Sequence, residues 1–300
     1  SVANEHWKYT NVSRLGERAL RSATAGDGAS VSAASFAALE LSTDSALRVV
    51  LVNGCVRDDL GAGGSLPQGL RVRSMAALQE QDPERLATLL DTDVEAGSTF
   101  QALNTALLGD GVVIEVDHNV SLREPLHLVM LGTGDDLLRS PRVLVHMGRN
   151  SELRLIEEYV SLDAASGLTN SVCEVRLAVG ATLFHHRLAN ESAASSHIGR
   201  VAVEVDEQGQ YVSDSLAFGG ELTRVDIDVN LVGRGARCHL NGLFVADGQQ
   251  HVDHHTRIEH RVGERRHDRQ QRPLPHFFRP EGPGAVGGFN QVGDHVGHLQ

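Results

Sequence analysis

Apolar and polar residues alternate along most of the chain beyond Gly111, and this alternation predicts β-strands. Each run leads through a glycine or a charged turn into a second run, as in RVLVHMGRNSELRLIEEY, CEVRLAVGATLFHHRL, VAVEVDEQGQYVSDSL and VDIDVNLVGRGARCHL. A period of two gives every strand one apolar face and one polar face. The marker glycines recur roughly every 30 residues, and they are Gly148, Gly180, Gly209 and Gly235.

A degenerate repeat of this length predicts a mainly β fold of stacked coils, a parallel β-helix. We expect the coils to occupy residues 109–265. Jelly rolls and cupins also consist of short strands with glycine turns, so they stay open as alternatives.

The residues before the repeat, 1–108, predict a mixed, largely helical N-terminal region. NVSRLGERALRSA predicts a short helix with Ser13 as its cap. ALRVVLVNG predicts a buried strand that ends in a turn at Asn53 and Gly54, and GLRVRSM predicts a second short strand.

Two further stretches of this region are helical in composition. SMAALQEQDPERLATLL predicts helix with a break or restart at Pro83, because proline cannot continue a helix. STFQALNTALL predicts a helix that is capped by Ser98 or Thr99 and ended by Gly109-Asp110-Gly111.

Composition and charge exclude several classes of protein. A net charge of -12 argues against a nucleic-acid binder, because phosphate binding needs a basic face. No apolar run reaches the roughly 20 residues of a membrane span, and we expect no secretory signal. The odd number and wide spacing of Cys55, Cys173 and Cys238 favour reduced thiols in a cytosol over a disulfide framework.

The stretch GQQHVDHHTRIEH is the strongest candidate for a metal site in the chain. Residues of one parity on a strand share a face and lie about 6.6 Å apart, so they can converge on one ion, as in the cupin HxH pattern. This hypothesis makes the divalent-metal ligands His251, Asp253, His255 and Glu259. It implies a stand-alone metal-dependent enzyme, such as a cupin-like isomerase or dioxygenase.

The competing interpretation makes this strand architectural, and it is the one that we favour. Arg257 lies between His255 and Glu259, where a guanidinium repels a cation and offers the carboxylate another partner. The opposite parity carries the apolar residues, so His254 and His260 face inward as buried or half-buried histidines. We therefore expect no metal ligand in this strand.

Other catalytic signals are weak. The chain has no GxSxG, P-loop or HExxH motif. Glu157-Glu158 and His185-His186 are adjacent pairs, but adjacent strand residues point to opposite faces and cannot work together. We interpret both pairs as solvated strand surface.

Five segments, in order, resemble the SufB/SufD family of iron–sulfur cluster assembly scaffolds. They are FQALNTALLGDGVVIEVDHNVSLREPLHL, SELRLIEEYVS, GATLFHHRLANES, SDSLAFGGELTRVDIDVNLVGRGA and LNGLFVADGQQHVDHHTRIEH. The resemblance extends from about Val49 to Gly263, and HWKYTNV and RVVLVNG look more like the SufD branch.

The resemblance implies a right-handed β-helix and a non-catalytic subunit that pairs with a SufB-like paralogue and a SufC-like ATPase. It implies a cytoplasmic complex with a transient iron–sulfur cluster and reduced flavin (FAD), and with ATP on the partner. We expect no cofactor bound tightly by this chain alone. Family members continue with more coils, a histidine in a Cys-x-His context and a helical segment that docks the ATPase. The matching segments do not include that histidine, so the resemblance assigns no cluster ligand to this chain.

The tail, 266–300, departs from the family and from the alternation. It contains Pro273, Pro275, Pro280 and Pro283, which cannot donate to a strand ladder. We predict an irregular, loosely packed segment that leaves the strand from His251 to Glu259 as an exposed solenoid end. A change of reading frame explains the abrupt loss of pattern, and a lineage-specific tail is the alternative.

Overall fold

The computed structural model describes Trp7 and residues 10–90, 99–261, 274–278 and 285–294. The N-terminal part holds short helices, which are α1 (Ser13–Glu17), α2 (Ala33–Ala37), α3 (Met75–Gln81), α4 (Pro83–Leu90) and α5 (Thr99–Ala106). It also holds short strands, which are β1 (Arg21–Ser22), β2 (Leu47–Val52), β3 (Cys55–Val56) and β4 (Leu70–Ser74).

Longer strands follow without an intervening α-helix. They are β5 (Val112–Val116), β6 (Leu126–Gly132), β7 (Leu137–Arg139), β8 (Arg142–Met147), β9 (Glu152–Ser161), β10 (Gly167–Leu177), β11 (Thr182–Asn190), β12 (Ser195–Val205), β13 (Gln210–Ala217), β14 (Leu222–Leu231), β15 (Arg237–Ala246) and β16 (His251–His260). Beyond them lie β17 (Leu274–Phe278) and β18 (Ala285–Asp294).

The strands form two sheets that the chain visits alternately. The first sheet has the order β17-β16-β14-β12-β10-β8-β5-β4, and the second has the order β18-β15-β13-β11-β9-β6-β2-β3. Pairing is parallel from β5 to β16 in the first sheet and from β2 to β15 in the second. The predicted β-solenoid is confirmed, with about five turns. The jelly-roll and cupin alternatives are wrong, because their sheets are antiparallel.

Stacked side chains of the same shape fill the space between the sheets. In the first sheet the register aligns one buried β-branched residue from each successive coil, because every coil repeats the same alternation. This ladder runs through Ile114, Val145, Val175, Val203, Val229 and Ile258. Such ladders bury apolar surface continuously along the solenoid axis, and this burial stabilises the stack.

The marker glycines occupy turns where a side chain would not fit. Gly180 has φ +70°, a left-handed conformation that glycine adopts without steric cost. A Cβ on Gly148 would lie 2.6 Å from the backbone nitrogen of His118 in the preceding turn. The recurring glycines therefore mark positions where the backbones of successive turns approach one another closely.

Several local expectations for the N-terminal region are confirmed, but its largely helical character is not, because short strands alternate with the short helices. The buried strand is β2, and its turn has positive φ at both Asn53 and Gly54. GLRVRSM contains β4, and Pro83 begins α4 after a break from α3. Ser13 is not the cap of α1, because it is the first helical residue; the side chain of Asn11 accepts its N–H at 2.9 Å.

The last predicted helix of this region is shorter than expected. It begins at Thr99 and ends at Ala106, before the glycines at 109 and 111. Ser98 lies outside the described residues.

The N-terminal region also contributes to the solenoid. β2 extends the second sheet by pairing in parallel with β6, and β4 extends the first by pairing antiparallel with β5. Both sheets therefore include strands from before residue 109. Among the described residues, no helix has the length and apolarity needed to cross a membrane.

The tail forms two strands, so the expectation of an irregular segment is wrong for them. β17 pairs antiparallel with β16, and β18 pairs antiparallel with β15. β17 is the outermost strand of its sheet, where a residue such as Pro275 is tolerated because one row of N–H groups needs no ladder partner. The strand from His251 to Glu259 is therefore not an exposed end. Pro273, Pro280 and Pro283 lie outside the described residues.

Candidate functional site

A cluster of polar side chains lies inside the solenoid, at positions where the repeat otherwise places apolar residues. Glu157 on β9 and Arg187 on β11 stand opposite one another in register in the second sheet. His185 on β11 and Cys173 on β10 of the first sheet complete the group. Glu157 and His185 are 0% exposed and Cys173 is 1% exposed. Charges so deeply buried need close partners.

One oxygen of Glu157 is held by two hydrogen bonds. The Arg187 Nε–H donates to Glu157 Oε2 at 3.0 Å, and the Tyr159 hydroxyl donates to the same oxygen at 2.9 Å. Arg187 Nη2 also donates to the Tyr159 hydroxyl at 3.2 Å. The three side chains form a closed triangle that fixes the carboxylate plane.

The other oxygen of Glu157 faces an imidazole. Glu157 Oε1 lies 3.2 Å from His185 Nε2, although neither atom forms a hydrogen bond of normal geometry. His185 Nδ1 lies 3.0 Å from the Tyr211 hydroxyl, which fixes the orientation of the ring. The Cys173 sulfur completes a set of three potential ligand atoms that lie within 4.8 Å of one another.

Burial and charge set the protonation of this group. Burial opposes ionisation of Glu157, but His185 and Arg187 outweigh it and hold the pKa of Glu157 well below its usual value. Burial, reinforced by Glu157, raises the pKa of the Cys173 thiol well above its usual value. Burial likewise raises the pKa of Tyr159. The cluster therefore holds an ionised carboxylate beside a protonated thiol.

The polar interior continues into the next coils. Ser171 Oγ lies 3.2 Å from His197 Nε2, and His197 Nδ1 lies 2.7 Å from Glu191 Oε2. A cavity of about 10 Å³, room for about one water, adjoins this chain of contacts. Its lining includes Tyr159, Arg187, His197, Ser215 and His254.

The structure corrects the interpretation of the two adjacent pairs as solvated surface. Glu157 and His185 face inward and meet each other across neighbouring coils. The outward members also have partners across coils: Glu158 Oε2 lies 2.8 Å from His127 Nε2, and His186 Nδ1 lies 2.8 Å from Asp214 Oδ2. The two residues of each pair do point to opposite faces, but pairing between coils was missed.

The sequence carried a signal for this cluster. Glu157 has the same parity as Leu153 and Leu155, and His185 has the same parity as Leu183. A charged residue on an apolar face at the coil spacing indicates a buried partner one coil away. Cys173 had no comparable signal, because it lies in the facing sheet and only the stacking of the sheets brings it near.

The histidine-rich strand is β16, and its parity is as predicted. The inward residue His254 is 0% exposed, and its Nε2 lies 3.0 Å from Ser215 Oγ. The inner face also carries Val252, Thr256 and Ile258, all buried, and His260 is half-buried.

The outer face of β16 pairs its charges with neighbouring strands. Asp253 Oδ2 lies 2.6 Å from Arg224 Nη1, and His255 Nδ1 lies 3.9 Å from Asp226 Oδ1. Arg257 Nε–H donates to Asp228 Oδ1 of β14 at 3.1 Å. Asp253 is nevertheless buried, because the N-terminal segment covers it.

The four candidate ligands of the metal hypothesis are not brought together. Within the described chain, the set of three ligand atoms that converges is Glu157, Cys173 and His185, and it excludes His251, Asp253, His255 and Glu259. His251 Nε2 instead lies 3.3 Å from the Thr10 hydroxyl.

Comparison with known protein families gives two consecutive matches along the chain. Residues 1–128 match the model of the SufBD protein N-terminal region. Residues 130–267 match the model described as SUF system FeS cluster assembly, SufBD core domain. The second match ends where the alternation ends.

Three curated relatives show similarity over most of this chain. The iron-sulfur cluster assembly SufBD family protein slr0076 of Synechocystis is 26% identical over 85% of this chain and 58% of its own length. Protein ABCI7, chloroplastic, of Arabidopsis thaliana is 26% identical over 70% of this chain and 46% of its own. The iron-sulfur cluster assembly protein SufD of Escherichia coli is 25% identical over 87% of this chain and 59% of its own.

The chain thus spans about half the length of the curated relatives that it matches. The two family matches cover the N-terminal region and the solenoid in the family's order, and they agree with the parallel coils of the structure. The chain belongs to the SufBD family of SUF-system iron–sulfur cluster assembly proteins.

Proposed function

We propose that this chain is a non-catalytic scaffold subunit of a SUF iron–sulfur cluster assembly complex. It pairs with a SufB-like paralogue, and the pair recruits a SufC-like ATPase. The observation that carries the proposal is the uninterrupted succession of the two SufBD matches, 1–128 and 130–267, along one solenoid. Two of the relatives are themselves named as iron-sulfur cluster assembly proteins.

The architecture supports a role in binding partners. A solenoid presents long, regular sheet surfaces that suit extended protein contacts. Its interior is packed, and the cavity beside Arg187, about 10 Å³, is far smaller than the roughly 300–1,000 Å³ of small-molecule sites. The parallel coils and the dispersed candidate ligands of β16 remove the support for a cupin-like enzyme.

The resemblance supplies the finer parts of the proposal. The winding is right-handed, and the complex works in the cytoplasm with a transient cluster and reduced FAD. ATP binds to the partner ATPase, and this chain alone holds no cofactor tightly. Pairing uses the end of the solenoid, where, within the described part of the chain, β17 and β18 are the terminal strands of the two sheets and each has a strand partner on one side.

Co-purification tests the proposal. The tagged chain is expressed with the SufB-like and SufC-like proteins of the same genome, and an unrelated tagged β-solenoid serves as the control bait. We expect retention of the SufB-like protein and, with the pair, of the SufC-like ATPase. No retention of the SufB-like protein would contradict the proposal.

A metal assay tests the enzyme alternative separately. A stoichiometric divalent ion that is lost in the His251→Ala/His255→Ala double variant would favour the enzyme. The same ion retained in that variant would leave the scaffold proposal in place.

A further inference from the structure

We propose that Glu157, Cys173 and His185 form a buried binding site for one divalent transition-metal ion, of the zinc or ferrous-iron class. The site lies between the two sheets, where β9, β10 and β11 meet. It is distinct from the histidine-rich strand and does not depend on the proposed pairing with partners.

The donor atoms are spaced closely enough to bind one ion. Glu157 Oε1 and His185 Nε2 are 3.2 Å apart, and the sulfur joins them within 4.8 Å. Around a tetrahedral ion with bonds of about 2.0–2.3 Å, neighbouring ligand atoms lie roughly 3.3–3.8 Å apart. Small side-chain adjustments therefore bring all three atoms into the first coordination shell.

Two buried polar atoms of the cluster lack a hydrogen bond of normal geometry. Glu157 Oε1 and His185 Nε2 face each other inside the solenoid at 3.2 Å, but their ion pair lacks hydrogen-bond geometry and leaves both atoms poorly satisfied. Leaving a buried polar atom unsatisfied costs about 1–3 kcal/mol, and more for a charged group. A cation between the two would satisfy both at once.

Hydrogen bonds from neighbouring side chains orient two of the ligands. Tyr211 bonds the far nitrogen of His185, and Arg187 and Tyr159 hold the far oxygen of Glu157. Metal ligands are commonly oriented by such partners on the atoms that do not touch the ion. Both side chains thus present one atom to the same point.

The donor types select the class of ion. One thiolate, one imidazole and one carboxylate suit zinc or ferrous iron, whereas calcium and magnesium prefer oxygen donors alone. Ser213 is aligned with His185 in the sheet and its hydroxyl is buried, so it can supply a fourth donor directly or through water.

Charge sets the strength of the site. Binding releases the thiol proton of Cys173, so the ion adds one net positive charge to the interior. Arg187 already carries a positive charge, which repels the ion. Its Nε nevertheless contacts Glu157 Oε2, the oxygen that faces away from the site. We therefore expect weaker binding than at a closed structural zinc site.

Cobalt(II) is the probe for the test, because cobalt–thiolate bonds absorb in the near ultraviolet. The metal-free 300-residue chain is titrated anaerobically with Co²⁺, and metal content after dialysis against Zn²⁺ or Fe²⁺ is measured in parallel. Cys173→Ser and His185→Gln are the site variants. Cys238→Ser, another buried cysteine of the same core, and His127→Gln are the matched controls.

We expect about one ion per chain and a thiolate charge-transfer band. Cys173→Ser should abolish the band and weaken metal binding at least 10-fold. Losing a residue that only orients a ligand already lowers metal affinity by about 10-fold or more. The two control variants should retain both. Far-ultraviolet circular dichroism verifies that each variant is folded, and Cys173→Ala replaces the serine variant if it is not.

Two outcomes would overturn the proposal. One is a folded parent chain with no bound ion and no band. The other is binding that survives in Cys173→Ser and His185→Gln. Failure of the co-purification with partner proteins would leave this result unaffected, so the two proposals are separable.

Discussion

Arg224 and Asp253 form a buried ion pair on the outer face of the solenoid, with Nη1 and Oδ2 2.6 Å apart. Both side chains are 2% exposed. Trp7 stacks over the guanidinium at 4.0 Å, and the Thr10 hydroxyl donates to the carboxylate. The N-terminal segment thereby covers two strands, β14 and β16, that follow it by more than 200 residues.

The first prediction is that removing Asp253 destabilises the fold strongly. Asp253→Ala leaves the buried Arg224 with Asp226, 2.8 Å from Nη2, as its remaining carboxylate partner. Breaking a buried pair costs about 3–5 kcal/mol when the remaining charge has no other partner, so with Asp226 retained we expect a loss of about 2–3 kcal/mol. Urea denaturation followed by circular dichroism measures the loss. The control is Glu259→Ala, where more exposed pairs predict a cost below about 1 kcal/mol; equal losses in the two variants would contradict the argument.

The second prediction separates the two adjacent histidines of β16. His254 is buried and bonded to Ser215, so His254→Ala should destabilise by about 1–3 kcal/mol. His255→Ala should destabilise less, because the His255 side chain lies on the outer face and is 12% exposed, whereas His254 is 0% exposed. Denaturation midpoints of the two variants test this. A larger loss in the His255 variant would reverse the assignment of the faces.

The third prediction concerns pH and His146 on β8. Burial, reinforced by Arg176 on β10, lowers the pKa of His146 from 6.5 to about 4; Glu115 on β5 opposes this shift and Arg85 on α4 adds to it. Between these two pH values the unfolded chain binds the proton and the folded chain does not. Folding stability should therefore fall as pH falls from about 6.5 to 4, by on the order of 1–3 kcal/mol from this residue.

His146→Gln removes this contribution. Its free energy of unfolding should vary less than the parent's across that window, while the difference between the two stays constant at higher pH. Urea denaturation at a series of pH values measures the slope. Parallel profiles for parent and variant across the whole range would contradict the assignment to His146.

The fold was predictable because the same pattern of alternating residues and turn glycines recurs in successive coils. Alternation within each strand and a glycine between strands were enough to predict stacked coils and to place the inner face of β16. The internal cluster was not predictable as a whole, because it depends on which residues of neighbouring coils and of the facing sheet meet. The parity of Glu157 and His185 was visible, but the position of Cys173 follows only from the packing of one sheet on the other.

For the tail, the rule that prolines exclude a β-strand was applied too widely. Prolines exclude a central strand, but β17 is an outermost strand, and β18 pairs through a segment without proline. Pattern loss therefore indicated a change in the kind of pairing, from parallel to antiparallel, and not its absence.

The last prediction tests whether β18 is held on the solenoid by Phe289. Phe289 stands opposite Gly242 of β15 in the register and packs against the main core. A Cβ on Gly242 would lie 1.9 Å from the Phe289 ring, so Gly242→Val must expel that ring. We expect faster amide hydrogen exchange in the peptide 285–294, while β9 to β12 keep their protection.

Leu243→Ala is the matched control for this experiment. Leu243 lies on the same strand, but its side chain is 39% exposed, so its loss should leave the exchange of β18 unchanged. Hydrogen exchange followed by mass spectrometry measures all three proteins. If the parent shows no protection at 285–294, or if Gly242→Val leaves it unaltered, Phe289 does not hold the strand. Protection in the parent that only Gly242→Val removes would establish β18 as a cover for β15 that is held by a side chain, because backbone pairing alone would tolerate a valine at that position.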